Sequence, residues 1–324
     1  MMRRVLPILL MALLAASPAF PFAKYGGEFL ATGIGARPLG MGGAFVSIAD
    51  DASAGYWNPA GIIFVQSREM IFMHSERFGD LINYDAGSFV QQLGDSNRNR
   101  SAFGFSFTRL GIDDIPYTRM NETSGRVEVD RYVTDAEWGL FLSYGRLWTN
   151  SIAVGGSVKM VRKSVGDDSA MGLGFDLGAL IRPWRRLSVG VNLQDATTTF
   201  LVWDDVTETI LPTLKCGLSY PFDIPALKGK LTVAADLDAR FEGRKSATAY
   251  WIGSASADLR LGVEYWYAER LALRFGQERS EQNDWAAGAG FRIPVGGNTL
   301  GLDYAFLENS YLDDIHRVSG SFSF

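Results

Sequence analysis

The sequence has almost none of the residues that redox chemistry, metal binding and acid–base catalysis at neutral pH require. Its 324 residues include one cysteine, Cys216, and two histidines. A single cysteine excludes an internal disulfide and a cysteine-based metal cluster. Nucleophile-elbow, zinc-protease and P-loop motifs are missing, and nucleophilic catalysis needs a nucleophile that a base activates. We therefore expect a protein that is not an enzyme and that uses no metal or cofactor.

An excess of positive charge is missing as well. The chain carries 31 Lys and Arg residues against 36 Asp and Glu residues, which gives a net charge of −5 at pH 7. Nucleic-acid binding needs a basic surface that neutralises phosphates. The charge balance therefore argues against a nucleic-acid partner.

Long hydrophobic runs are confined to the first segment, and the mean hydropathy of +0.02 is far too low for a bundle of membrane-spanning helices. Residues 1–23 combine Arg3 and Arg4 with an apolar stretch and small residues. The stretch has about a dozen apolar residues, fewer than the ~20 that a spanning helix needs. The segment therefore predicts a secretory signal peptide that is cleaved after Ala19 or Ala23.

Alternation of apolar and polar residues dominates the rest of the chain. In residues 230–241, Leu231 and Leu237 share one face, and Asp236 and Asp238 share the other. Period-two patterning of this kind is typical of strands with two different faces. It recurs in about fourteen segments, which are 68–75, 82–91, 102–109, 138–145, 151–160, 171–181, 187–194, 213–220, 230–241, 258–267, 271–276, 285–293, 300–306 and 318–324.

The polar faces of these strands carry charges, and the cost of exposing charge to lipid decides which way they point. An Arg or Lys on the lipid face at mid-depth costs about 2–4 kcal/mol, and the sum over the set would exceed the stability of an ordinary fold. We therefore predict that the charged side chains line a hydrated lumen. They are Lys159, Asp176, Lys215, Asp236, Asp238, Arg240, Asp258, Arg260, Glu264, Arg274, Arg292 and Asp303. Six are basic and six are acidic, so we expect no strong ion selectivity.

The connections between the predicted strands alternate in length. Residues 268–270 and 296–298 indicate tight turns, whereas residues 110–133 and 195–209 indicate long loops. Short turns on one side and long loops on the other are typical of outer-membrane barrels. The alternative is a soluble β-sandwich, but a sandwich turns its charged face to water and usually has about 100 residues. We predict an all-β fold, a transmembrane antiparallel β-barrel of about 14 strands over residues 62–324.

The segment before the barrel, residues 24–61, is rich in glycine and shows no sustained strand or helix periodicity. Eight-stranded barrels are filled by their own side chains, whereas a barrel of about fourteen strands has room for an extra segment. Glycine permits close backbone approach and positive φ, and Asp and Asn side chains can turn the chain. A dinucleotide-binding loop is excluded because Pro38 occupies the position of its third glycine. We predict a plug that enters the lumen from the periplasmic side. Its motif residues are Arg37, Gly40, Gly42, Gly43, Asp50, Asp51, Asn58, Pro59, Ala60 and Gly61.

Two stretches resemble a known family. Residues 36–61, ARPLGMGGAFVSIADDASAGYWNPAG, resemble the N-terminal signature of PorV/PorQ-type outer-membrane proteins. Those proteins belong with the FadL-like (OmpP1) long-chain fatty acid transporters, which share the Asn-Pro-Ala-Gly turn. Residues 300–324, LGLDYAFLENSYLDDIHRVSGSFSF, are similar to the last two strands of that family. The resemblance implies a bacterial outer-membrane barrel with an N-terminal plug, and it implies that Phe322 and Phe324 form the signal that the barrel assembly machinery recognises.

The resemblance implies two different functions. In FadL-like transporters, hydrophobic solutes bind in the lumen and leave through a gap in the wall, whereas PorV-type proteins hand substrates of the type IX secretion system to a cell-surface attachment complex. The balanced charges and the plug favour a gated conduit for hydrophobic or amphipathic small molecules, embedded in outer-membrane lipid. The alternative is an accessory barrel that binds secretion-system proteins. An open general porin is less favoured because a plug would block ion flow.

The two histidines lie on the first and last predicted strands, which pair in a closed barrel. His74 and His316 could therefore be neighbours near the extracellular rim. One hypothesis is that the two histidines share a metal ion or a proton there. The simpler hypothesis, which we favour, is that they are unrelated residues of the rim.

Overall fold

A computed structural model describes residues 27–66, 68–77, 81–94, 100–183, 186–243, 248–280, 283–309 and 314–324. Within these residues the chain forms a closed barrel of fourteen antiparallel strands, so the predicted fold class is confirmed. The strands are β1 (Arg68–Arg77), β2 (Ile82–Gln92), β3 (Ser101–Met120), β4 (Val127–Thr149), β5 (Ile152–Val165), β6 (Asp168–Ile181), β7 (Ser188–Gln194), β8 (Thr213–Ile224), β9 (Gly229–Arg240), β10 (Ala255–Tyr267), β11 (Leu271–Arg279), β12 (Asn283–Val295), β13 (Asn298–Leu307) and β14 (Ile315–Ser323). Each alternating segment of the sequence corresponds to one of them. The predicted signal peptide, residues 1–23, lies outside the described residues.

The barrel closes where its first strand meets its last. β1 pairs with β14 in the register Met70 to Phe322, and Arg68 and Phe324 exchange backbone hydrogen bonds of 3.2 and 2.9 Å. The tight turns lie at this same end of the barrel. Between β12 and β13, Gly296 and Gly297 have φ of 57° and 90°, which a two-residue hairpin turn of type I′ requires.

The long connections contain more regular structure than the sequence predicted. Residues 110–133, expected to form a loop, instead extend β3 to Met120 and begin β4 at Val127. Most side chains there are exposed on both faces, so no alternation marks these strand extensions. Residues 195–209, also expected to be a loop, contain short paired strands, Thr199–Val202 and Thr207–Ile210. A third short strand, Tyr250–Ile252, pairs with β10.

The outer face of the barrel is apolar, and the inner face packs against the plug. Leu142, Leu173 and Phe275 are among the large hydrophobic side chains exposed on the outside. Residues 27–66 lie inside as four short helical segments joined by turns, which are Glu28–Thr32, Ala36–Gly40, Ala54–Trp57 and Pro59–Phe64. Within the described residues no helix is long and apolar enough to cross a membrane.

The plug makes the interior a packed core. Phe45, Met41 and Ile62 have no solvent exposure, and glycines in the wall allow the plug backbone to approach closely. A Cβ atom at Gly155 would lie 2.5 Å from the carbonyl carbon of Pro59. In the middle of the barrel the plug therefore fills the space that a barrel of this size leaves, and the open cavities lie towards the ends of the lumen.

Candidate functional site: the plugged lumen

The Asn-Pro turn ties the two halves of the plug to the wall. Asn58 has an extended backbone, as the residue before Pro59 must, and its side-chain oxygen accepts a hydrogen bond from the Ala60 N–H at 3.1 Å. Its amide nitrogen donates to the carbonyl of Val46 at 3.0 Å and to that of Ala179 on β6 at 3.2 Å. One buried side chain therefore satisfies backbone groups from the plug and from the barrel, which an apolar residue could not do.

The motif glycines lie where the plug turns or touches backbone. Gly42 and Gly43 have φ of 64° and 77°, which residues with a Cβ atom rarely adopt. A Cβ atom at Gly40 would lie 3.1 Å from a backbone Cα atom of β12, and one at Gly61 would collide with the carbonyl oxygen of Ala49. Gly42, Gly43 and Gly61 therefore require the absence of a side chain, whereas a side chain at Gly40 would make a tight contact that needs a small shift of β12.

Arg37 joins the plug to the barrel through a forked ion pair. Its Nε and Nη2 atoms donate to the two carboxylate oxygens of Glu264 on β10, at 2.8 and 2.9 Å. Its Nη1 atom donates to Asp50 at 2.7 Å and to Asp51 at 3.0 Å, both on the plug. A bidentate arginine–carboxylate pair is geometrically specific, so the contact fixes the orientation of the plug as well as its position.

The wall continues this ion-pair network. Arg274 on β11 donates from Nε to Glu264 at 2.8 Å and from Nη1 to Asp303 on β13 at 2.6 Å. Glu264 and Arg274 are buried, whereas Asp303 is half-buried. Glu264 therefore lies between a wall cation, Arg274, and a plug cation, Arg37, and it would lose one of these two partners if the plug left the lumen.

A second cluster of predicted lumen charges surrounds Asp238. It lies 3.5 Å from the Lys215 amine and accepts a hydrogen bond from Arg260 Nε at 3.1 Å. Arg260 also donates to Glu278 at 2.5 Å and to the carbonyl of Gly42 on the plug at 3.3 Å. The neighbouring Asp236 accepts from the backbone N–H of Val46, and Arg240 pairs with Asp258, both at 2.8 Å.

A third cluster of charged side chains contains a residue, Asp195, that was not among the predicted lumen charges. Lys159 on β5 pairs with Asp176 on β6 at 3.0 Å and with Asp195 at 2.7 Å. Asp195 follows β7 directly and turns back into the barrel with φ of 51°. Because residues 195–209 were expected to be a loop, the only signal in the sequence was an Asp directly after a predicted strand.

Arg292 is the exception among the twelve predicted lumen charges. Nine of the twelve are buried, and Arg240 and Asp303 are half-buried, but Arg292 is exposed. Its guanidinium lies 4.0 Å from the centre of the Trp266 ring and lines an open cavity at the short-turn end. It is on the inward phase of β12 but lies near the strand end, beyond the plug.

The histidines have separate partners. His74 Nδ1 lies 2.7 Å from Asp85, and His316 Nδ1 lies 2.6 Å from the Tyr304 hydroxyl. Across the part of the chain that the structure describes, no group of three or more His, Cys, Asp or Glu side chains could hold a metal ion.

Cavities lie on both sides of the plug. Two of about 700 and 230 Å³ open at the short-turn end, and both are lined by Arg37, Asp50, Trp266 and Arg292. A smaller cavity of about 70 Å³ lies at the long-loop end. Its lining combines the side chains of Leu30, Tyr56, Phe141, Ile210 and Leu211 with charged groups that include Lys159, Asp195, Lys215 and Arg240. The fully buried plug residues lie between the two ends, so the axial route is closed.

The wall is discontinuous beside β6. β7 is short and pairs with β6 only over residues 177–181. Residues 199–210, which we call the wall hairpin, lie beside the outer half of β6 and pair with it at a single position, Met171 with Val202. A Cβ atom at Gly172 would lie 2.6 Å from the carbonyl oxygen of Phe200, so the hairpin leans over the inner face of β6. The side of the small cavity is thus covered by a weakly paired element.

The pH dependence of plug docking should reflect Asp51. Burial raises the pKa of this plug carboxyl, against the opposing effect of Arg37. A carboxyl whose native pKa is raised contributes stability that is fully present below its unfolded pKa and is lost as pH rises through the native pKa. We expect wild type to gain unfolding free energy as pH falls from 7 towards 4, and Asp51→Asn to gain less, in urea titrations in detergent micelles. Parallel pH profiles would contradict this expectation.

Comparisons with known proteins identify the fold. A scan against protein-family models gave no match, and a sequence search of curated proteins gave none either. Among solved structures, the Pseudomonas putida toluene transporter TodX is similar with a TM-score of 0.58 at 15% identity, over 90% of this chain and 97% of that chain. The CymD monoaromatic hydrocarbon channel has a TM-score of 0.57 at 13% identity, over 90% and 98% of the two chains.

A Pseudomonas aeruginosa FadL homologue is also similar, with a TM-score of 0.56 at 11% identity, over 89% of this chain and 98% of that chain. The structural neighbours are therefore FadL-type transporter and channel barrels. At these identities the likeness establishes the fold, and nothing in it singles out the PorV/PorQ branch.

Proposed function

We propose that this chain is a gated conduit for hydrophobic or amphipathic small molecules in a bacterial outer membrane. The observation that carries the proposal is the combination of an axis blocked by the plug and a wall interrupted beside β6. It occurs in a fold whose solved neighbours are described as a toluene transporter and a monoaromatic hydrocarbon channel. The transfer of an apolar solute from water into hydrocarbon lowers its free energy. A sideways path into the bilayer therefore suits an apolar solute better than it suits an ion.

The structure corresponds to the closed state of such a conduit. An apolar cavity of about 150 Å³ is enough to hold benzene, and the cavity under the wall hairpin measures about 70 Å³. Passage therefore requires a movement that enlarges it. The wall hairpin has few backbone bonds to β6, namely one paired position and, just before the hairpin, a hydrogen bond of 2.8 Å from Ala196 N–H to the Phe175 carbonyl. Its remaining attachment is apolar packing, in which Leu201 contacts a buried cluster that includes Val161 and Ala170.

A disulfide that locks the wall hairpin tests the route. We expect Met171→Cys with Val202→Cys, in a Cys216→Ser background, to reduce uptake of labelled toluene or a labelled fatty acid into proteoliposomes at least about tenfold. The effect follows because the two positions are direct backbone partners within disulfide reach. Reduction should restore uptake.

The matched control places the disulfide on the same strand where the wall is continuous. Ala179 and Val191 are backbone partners in the middle of the paired stretch of β6 and β7, so Ala179→Cys with Val191→Cys should leave uptake unchanged. Equal uptake by the oxidised and reduced hairpin variant would exclude this lateral route. Absence of uptake by wild type with every hydrophobic probe would exclude the conduit itself.

The type IX accessory function rests on the resemblance of the plug motif alone, and no contact among the described residues favours it. Recognition of Phe322 and Phe324 by the barrel assembly machinery likewise stays a prediction. The two rings stack with centroids 5.2 Å apart, at the strand that closes the barrel.

A further inference from the structure

A buried arginine on the last strand has no carboxylate partner among the described residues. Arg317 on β14 is 1% exposed, and its Nε and Nη1 atoms have no hydrogen-bond partner. Every other deeply buried guanidinium named above belongs to an ion pair. Burying an unpaired charge costs several kcal/mol, so this position calls for a counter-charge.

The polar groups around Arg317 are donors as well. Tyr84 on β2 and Thr108 on β3 have no solvent exposure, and their hydroxyls, which lie close to each other, have no partner outside this pair. The Arg317 guanidinium lies 5.5 Å from the centre of the Tyr84 ring. A second cation, Arg77 on β1, contributes a buried Nε atom without a partner. Strand pairing brings these residues together, because Tyr84 lies opposite Ser75 on β1 and Ser75 bonds to the His316 carbonyl at 2.9 Å.

The carboxylates on the neighbouring strands are engaged elsewhere. On β13, Asp303 points inward but is bound to Arg274 at 2.6 Å. On β2, Asp85 points outward and is bound to His74 at 2.7 Å. The facing plug residue, Tyr56, donates its hydroxyl to the Leu30 carbonyl. The described residues therefore surround this point with two positive charges and with hydroxyls that are able to donate, and none of them supplies a negative charge.

We propose that Arg317, Arg77, Tyr84 and Thr108 form a binding site for a compact monovalent anion in the long-loop half of the barrel. A guanidinium and two hydroxyls can all donate to one acceptor, and an anion compensates charge that a water molecule would leave unbalanced. The occupant is a halide or the carboxylate of a small solute, which share this chemistry. The site stands independently of what the conduit carries.

The anion site predicts a halide-dependent stability of the full-length protein in detergent micelles. We expect the thermal unfolding midpoint of wild type to be higher in sodium chloride or bromide than in sodium sulfate, whose anion is divalent, at equal ionic strength, by about 3 °C or more. Arg317→Gln should lose this difference. Arg292→Gln, which removes an exposed cation on the inward phase of β12, should keep it.

Two further measurements separate binding from a folding defect. Tyr84→Phe keeps every charge and removes one donor, so it should raise the chloride concentration needed for half of the stabilisation about tenfold. Crystals grown in bromide should show an anomalous peak between the Arg317 guanidinium and the Tyr84 hydroxyl. If acetate or octanoate stabilises wild type and halides do not, the occupant is a solute carboxylate.

The proposal is overturned if neither halide nor carboxylate stabilises wild type more than Arg317→Gln. It is also overturned if the wild-type preference for halide survives unchanged in both Arg317→Gln and Tyr84→Phe, because the effect would then arise at another place.

Discussion

Removal of residues 33–61 should leave a barrel that conducts ions. These residues fill the lumen between the cavities at its two ends, and a barrel of about fourteen strands without them approaches the width at which a water channel forms. We expect a rise of about tenfold or more in the rate of liposome swelling in small sugars, and steady single-channel currents in planar bilayers where wild type shows none.

A deletion of similar kind outside the lumen serves as the control. Removing residues 122–125 shortens the turn between β3 and β4, where a Cβ atom at Gly125 would meet nothing within 4 Å, and it should leave the conductance at the wild-type level. Heat-modified mobility in gels would establish that both variants form barrels. A folded barrel without residues 33–61 that stays closed would show that the plug is not the barrier.

Loss of the charge on Arg37 should be the most destabilising single substitution in the plug motif. Arg37→Gln leaves Asp50 and Asp51 facing the buried Glu264 without their shared cation. Breaking a buried pair by removing one partner costs about 3–5 kcal/mol. The free energy of unfolding in urea, followed by tryptophan fluorescence in detergent micelles, should fall by that amount.

A double-mutant cycle isolates the contact. Glu264→Gln should also destabilise the protein, because it leaves Arg37 and Arg274 close together without their common acceptor, and the double variant should lose less than the sum of the two. Arg131→Gln breaks an exposed ion pair with Asp167 and should leave the free energy of unfolding unchanged. Additive losses in the cycle would mean that the forked pair does not hold the plug.

Strand positions could be predicted from the sequence because a membrane strand has two chemically different faces along its whole length. The same reasoning fails where both faces meet water, as in the extensions of β3 and β4. It also fails where a strand is short. The pairing of β7 with β6 stops at Leu193. No local pattern in the sequence indicates that the wall hairpin lies beside the part of β6 that β7 leaves unpaired.

The ion-pair partners of the predicted lumen charges could not be predicted. The phase of a residue along a strand shows which face its side chain is on, but it does not show which residue that side chain contacts. The alternation along β12 correctly placed Arg292 on the inner face. The side chain is nevertheless exposed, because it lies near the end of the strand, beyond the plug. Arg317 was missed because the last alternating segment was taken to begin at residue 318, one residue after it. The contact between Arg37 and Glu264 spans 227 positions of sequence, so only the assembled barrel brings them together.

The seam between β1 and β14 has a consequence for the order of events during biogenesis. The hydrogen bonds between Arg68 and Phe324 join the start of β1 to the end of β14, so the ring can be sealed only when both strands are in place. The plug precedes β1 in the chain, so it is made before the strand that closes the ring. We expect variants that weaken its packing to accumulate as unsealed intermediates that added protease cleaves more readily.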